Sequence, residues 1–208
     1  FAFDPVRHTE VRIIAFTLMQ DFFSFFGAYG RHLPALAVVG ILLSWHVARN
    51  DPWKFPPALL PKMAAESITL GLPVILLGAL CAHHVPLGAP VVGDWKTMVV
   101  LSIGAGIYEE LVFRMIGFTL LTLLCIDMLR LQRRLATALI VLIPAILFSV
   151  YHYLGTEHFT FQSLVFRTLA GIYFGIIFLH RGFGITAGAH AAYDVLIVLL
   201  AGTFARGV

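Results

Sequence analysis

Two carboxylates and a guanidinium sit where an apolar segment would ordinarily exclude them. The stretch GAGIYEELVFRMIGF, residues 104–118, carries Glu109, Glu110 and Arg114 inside a run from Thr97 to Leu129 whose next charge is Asp127. On a helix, Glu110 and Arg114 are i and i+4 and share one face. The acid is N-terminal to the base, which is the favourable order for an ion pair. Glu109 is turned by about 100° from Glu110, so it is expected to point elsewhere. The pair neutralises one carboxylate and leaves the other spare. A spare buried carboxylate suits general acid or base work.

Two further polar positions could meet it. FSVYH ends in His152, and HAAYD places His190 and Asp194 at i and i+4 on one face. If the segments holding Glu109 and His152 form an antiparallel hairpin through 130–134, the residue level with Glu109 falls near 155, within a turn of His152. His190 counts only five residues from the inner end of its own segment, well below Glu109. Unequal tilts, a re-entrant GFGITAG segment or a cavity open to the cytoplasm would each bring the two together. A lone histidine on an apolar helix is ordinarily a hydrogen-bonded structural residue. Two His, two Glu, an Asp and an Arg in one bundle read instead as a chemical site, because ionisable groups in lipid are costly. Acids and histidines in membranes also relay protons, so a transporter or proton relay is the rival class. The absence of a visible inverted repeat counts against transport.

The elements that must position these groups follow from composition. Of the 208 residues, 60% are hydrophobic and 12% charged, with a mean hydropathy of +0.92. A water-soluble domain carries about twice that charged fraction. The expected fold is all-α, a polytopic membrane helix bundle of about seven (seven to eight) transmembrane helices, because a crossing needs roughly 20 apolar residues. Candidate crossings are 11–29, 33–48, 63–82, 97–129, 135–153, 161–180 and 185–203. The first is interrupted by Gln20 and Asp21, the second is short, and the fourth must tilt or protrude. Residues 1–208 read as one transmembrane domain with a catalytic core over 97–203. The chain begins at Phe1, not Met, which leaves room for sequence before it, and no cleavable signal peptide is read in it.

Charge sets the expected orientation. With seven crossings and a cytoplasmic N-terminus, the inside segments hold Arg7, Arg12, Arg49, Lys54, Lys62, Arg130, Arg133, Arg134 and Arg181, nine in all. The outside segments hold Arg31, Lys96 and Arg206, and Arg114 and Arg167 complete the fourteen. Nine against three is the asymmetry of the positive-inside rule. The net charge of +3 is scattered in this way and gives no nucleic-acid surface. Cys81 and Cys125, in separate apolar segments, read as reduced packing residues. Gly171 with Gly175, and Gly184 with Gly188, have the four-residue spacing that lets helices approach closely in lipid. His83 and His84 beside Pro86 read as a solvated loop, and Arg167 as a side chain that snorkels to headgroups, with binding of a substrate carboxylate as the alternative.

EELVFR, then FSVYH, then HAAYD resembles the CPBP family of intramembrane proteases, whose motifs are E-E-x-x-x-R, F-x-x-x-H and H-x-x-x-N or D. That family includes the prenyl-protein CAAX endopeptidases and bacteriocin-processing or immunity-linked bacterial enzymes. Glu109, Glu110 and Arg114 match the first motif, Phe148 and His152 the second, His190 and Asp194 the third. The resemblance implies a glutamate-dependent membrane endopeptidase with no covalent intermediate, in a bacterial inner membrane. In it Glu109 and His152 would activate water, and Arg114 would hold Glu110. His190 with Asp194 would stabilise the oxyanion or orient the scissile carbonyl. Asp194 stands where the prenyl endopeptidases have Asn, and an ionised Asp cannot donate to an oxyanion. Its expected task is to orient His190 or to act while protonated, which weakens prenyl specificity more than proteolysis. The expected substrate is a membrane-embedded or lipid-associated peptide. No cofactor is expected, with a zinc site from His152, His190 and an acid as the alternative.

Overall fold

In the computed structural model the described residues are 14–30, 32–81, 95–154 and 158–205. His83, His84, Pro86, Arg7, Arg12, Arg31 and Arg206 lie outside them. Among the described residues every regular element is helical, and seven helices follow one another. They are α1 (Ile14–Phe25), α2 (Leu33–Ala48), α3 (Leu59–Cys81), α4 (Trp95–Met128), α5 (Arg133–Leu154), α6 (Phe161–Arg181) and α7 (Phe183–Ala205). Each falls on one of the seven apolar runs. Helices α3 to α7 are long and apolar enough to cross a membrane. The 16 residues of α2 rise only about 24 Å, and the 12 described residues of α1 rise less.

Polarity is inverted relative to a fold built for water. Leu72, Leu76 and Leu80 form an exposed stripe on α3, as Leu142, Ile146 and Val150 do on α5. The buried set includes Glu109, Glu110, Arg114, Ser149, Thr186 and His190. Lipid is the solvent that makes this arrangement favourable, since apolar faces gain nothing by leaving it while polar groups do. The protein is an integral membrane protein.

Without a hydrophobic drive between helices, close backbone approach carries the packing. Helix α7 is the centre, seated against α4 and α3, while α5 pairs with α6. At Gly106 of α4 an added Cβ would lie 2.7 Å from the Ala187 carbonyl oxygen and 2.8 Å from the Ala191 nitrogen. Gly71 of α3 meets the Ala189 carbonyl on the other side of α7, at 2.9 Å. Gly171 meets Ala145 and Gly188 meets Ser67, whereas Gly184 has only the end of Met63 near it. His190 lies between the two backbone contacts that Gly106 makes possible. Gly106→Val should therefore lower thermal stability by about 1–3 kcal/mol through overpacking and reduce activity with it. An unchanged melting curve would show that α4 and α7 can separate without cost.

The depth of His190 is settled by where helices end. Phe118 of α4 packs edge-on against Phe178 of α6, with ring centroids 5.4 Å apart. From those residues α4 continues ten further and α6 only three. Gly182, at φ 77°, turns the chain, and α7 begins at once. The α6–α7 turn is therefore recessed relative to the end of α4, and the contact of Gly106 with Ala187 and Ala191 fixes α7 with His190 beside the glutamates. GFGITAG is helical from Phe183 onward and is not a re-entrant loop. The inner ends of α4 and α6 lie at different levels, so counting from a shared boundary places His190 too low.

Candidate active site

Helix α4 changes winding immediately after its two glutamates. Leu111–Ile116 is a π-helical turn, a local widening often found at functional sites. Within it Arg114 is fully buried. One guanidinium nitrogen lies 3.0 Å from Glu110 Oε1, off hydrogen-bond alignment. The other donates to the Gly171 carbonyl of α6 at 3.1 Å. The guanidinium also lies over the Phe148 ring, 4.6 Å from its centroid. Arg114 thus ties α4 to both α5 and α6, and Glu110 supplies its counter-charge.

His190 stands between the two acids. Its Nδ1 is 2.8 Å from Glu110 Oε1, and its Nε2 is 3.6 Å from both Glu109 Oε2 and Asp194 Oδ2. The ring stacks on Phe174 at 4.8 Å and 17°. Glu109 and Glu110 were expected to face apart. They reach one residue because the imidazole offers two nitrogens on different edges, which spans the angle between consecutive helical positions. Asp194 lies one turn further along α7, with its side chain 27% exposed.

The other oxygen of Glu109 accepts a hydrogen bond from the Tyr151 hydroxyl. His152, expected within a turn of Glu109, lines the same cavity, but the hydrogen bond comes from its neighbour Tyr151, since adjacent side chains on a helix point about 100° apart. Tyr151 was visible in FSVYH, and a hydroxyl next to the histidine was the only signal for it. His152 instead opens a short 3₁₀ turn, His152–Leu154. Its Nδ1 lies 2.7 Å from the Phe148 carbonyl. A carbonyl can only accept, so Nδ1 carries a proton, and in the neutral ring Nε2 then keeps its lone pair.

Glu109, His152, His190 and Asp194 line one cavity of about 300 Å³, together with Arg167, Phe148, Phe174 and Tyr193. Larger hollows lie elsewhere, one beside Met115 at the α6–α7 turn and one beside Phe118 and Asp127. Neither contains the paired acids. Arg167, expected to snorkel to headgroups, also lines the cavity, and its Nη1 donates to Ser163 Oγ at 2.6 Å. Arg181 forms a two-pronged pair with Glu66 at 2.5 and 2.6 Å, remote from the paired acids. Cys81 and Cys125 are free thiols. Among the described residues no three His, Cys, Asp or Glu side chains are grouped as a metal ion would need.

A membrane bundle that buries Glu109, Glu110, Arg114 and His190, and brings Glu109, His152, His190 and Asp194 to one cavity, holds the groups of a chemical site. Comparison with known families matches residues 91–196 to the type II CAAX prenyl endopeptidase Rce1-like family, and the chain belongs to that family. The match spans just over half of the 208 residues and includes all three motifs. The family is one of CAAX-type intramembrane proteases, so its chemistry is peptide-bond hydrolysis. No curated protein and no solved structure matches the chain.

Proposed function

We propose that this protein is an intramembrane endopeptidase in which glutamate and histidine activate water without a covalent intermediate. The observation that carries the reading is the shared cavity, where Glu109 and the lone pair of His152 can hold one water between them. As that water's oxygen bonds the carbonyl carbon, its proton passes to Glu109 and the carbonyl π pair moves onto oxygen. Collapse breaks the C–N bond, and the proton held by Glu109 passes to the leaving nitrogen. Peptide and water become acid and amine. Tyr151 fixes Glu109, Glu110 fixes His190, and Asp194 orients His190 from the far side. The substrate is a membrane-associated peptide bearing a C-terminal signal, taken from the bilayer. Nucleic acid has no part in it.

The decisive experiment incubates the purified protein with membrane peptides, including farnesylated peptides with a free C-terminus, and reads products by mass spectrometry. Wild-type cleavage that persists after chelation is the expected result, because the reading uses no metal. Failure to cut any of them would sink it. A proton relay is the second reading, favoured by the contact of His190 with both glutamates. It would be recognised by proton flux in liposomes without proteolysis.

The orientation belongs to the same proposal: seven crossings in a bacterial inner membrane, with the N-terminus in the cytoplasm. Single cysteines in the 49–62 and 130–134 loops, introduced into a background without Cys81 and Cys125, should be labelled only from the cytoplasmic side. Labelling of either from outside would reverse the topology.

A further inference from the structure

We propose that the hollow between α2 and the α6–α7 turn holds the headgroup of an anionic phospholipid, whose acyl chain lies in the apolar groove beside it. The hollow measures about 560 Å³ and separates the C-terminal end of α2 from the turn at Gly182. Arg49 follows the last residue of α2, and Arg181 is the last residue of α6. Among the lining residues these two cations stand against a single acid, Asp51, and His46 and His180 add two imidazoles. Both guanidinium groups keep N–H groups unused among the described residues. Arg49 gives its Nε to Asp51 at 3.1 Å. Arg181 gives Nε and Nη2 to Glu66 at 2.5 and 2.6 Å. A guanidinium has five N–H groups, so Arg49 retains both terminal nitrogens and Arg181 retains Nη1. The acids orient the two heads, and the remaining forks suit phosphate oxygens. His46 also has a buried Nε2 that the described residues leave without a hydrogen-bond partner.

The neighbouring surface makes the occupant a lipid. Trp45, Phe178 and Leu179 line this hollow and also a second one of about 520 Å³. The second is walled by Phe118, Leu123 and Ile140, and its two charged lining residues, Asp127 and Arg133, are opposite in sign. Leu123 and Leu179 are exposed, as side chains in contact with acyl chains are. A molecule with a phosphate at one end and a hydrocarbon chain at the other fits both spaces, whereas a soluble phosphate fills only the first. Trp45 stands at the junction, where an indole suits the headgroup level. Such a lipid ties the end of α2 to the turn from which α7 begins. Deeper along α2 the contacts are apolar, through Val38 and Leu42 with Leu111 and Met115 of α4.

The test uses the full chain, purified in detergent and stripped of lipid. Melting curves are recorded against phosphatidylglycerol, phosphatidylcholine with the same chains, and glycerol phosphate. Phosphatidylglycerol should raise Tm by roughly 5–10 °C at about a hundred times its Kd. Phosphatidylcholine should do much less and glycerol phosphate nothing. Arg49→Gln and Arg181→Gln should each weaken phosphatidylglycerol about fivefold, the usual worth of one basic residue near anionic lipid. The double variant should lose more than tenfold, and Lys96→Gln, at the start of α4, should lose nothing. Arg49, with a side chain 60% exposed, keeps the test open if Arg181→Gln fails to fold. Equal shifts from the two phospholipids, or unchanged phosphatidylglycerol affinity in the arginine variants, would overturn the site. A shift from glycerol phosphate equal to that from the lipid would make it a soluble-anion site and overturn the lipid. Peptide cleavage is not a readout, so failure of the proteolytic reading leaves this site standing.

Discussion

Glu109→Gln should keep the fold and the melting curve while kcat falls by roughly 10²–10⁴-fold, the usual contribution of a positioned general base. The amide has the carboxylate's shape, and its oxygen can still accept from Tyr151, so the packing around the site is retained. What disappears is the ability to take a proton from water and return it to the leaving nitrogen. His152→Ala should behave alike, because it removes the second group that holds the water. KM should move little in either variant, since the loss falls on the transition state. Purified protein, one cleavable peptide and a melting curve suffice. Should Glu109→Gln cleave almost normally while Glu110→Gln is stable and inert, the two acids have exchanged roles.

Glu110→Gln should differ in kind. Glu110 is fully buried and is the counter-charge of Arg114, whose other contacts are a carbonyl and an aromatic face. Removing one member of a buried pair leaves an uncompensated charge, a penalty on the order of 3–5 kcal/mol. For a chain of this size that is a fall in Tm on the order of 10 °C. Arg114→Ala should lose at least as much, because the tie to Gly171 and the packing on Phe148 go with it. Replacing both, as Glu110→Gln with Arg114→Met, should be less damaging than the sum of the single changes. That non-additivity is the signature of a direct pair. Strictly additive losses would mean that the two charges are compensated by other groups. Activity should fall in all three, since Glu110 also positions His190.

How much of this was legible before the fold depends on distance along the chain. The seven helices were readable because an apolar run is a local property, and lipid demands one for every crossing. The Glu110–Arg114 pair was readable for the same reason: i and i+4 face one another on any helix. The three motifs, each within a single helix, likewise pointed to the family. What the sequence could not decide was how far one helix slides or turns against the next. That set which residue of FSVYH touches Glu109, and Tyr151 rather than His152 took the place. It set the depth of His190, through the recessed turn at Gly182 and the close approach at Gly106. It brought Arg167 to the cavity wall, which its place near the outer end of α6 did not reveal. Helix identity is written in neighbours a few residues apart, whereas rotation and depth come from contacts between side chains dozens of residues apart. Only the packed bundle chooses among those.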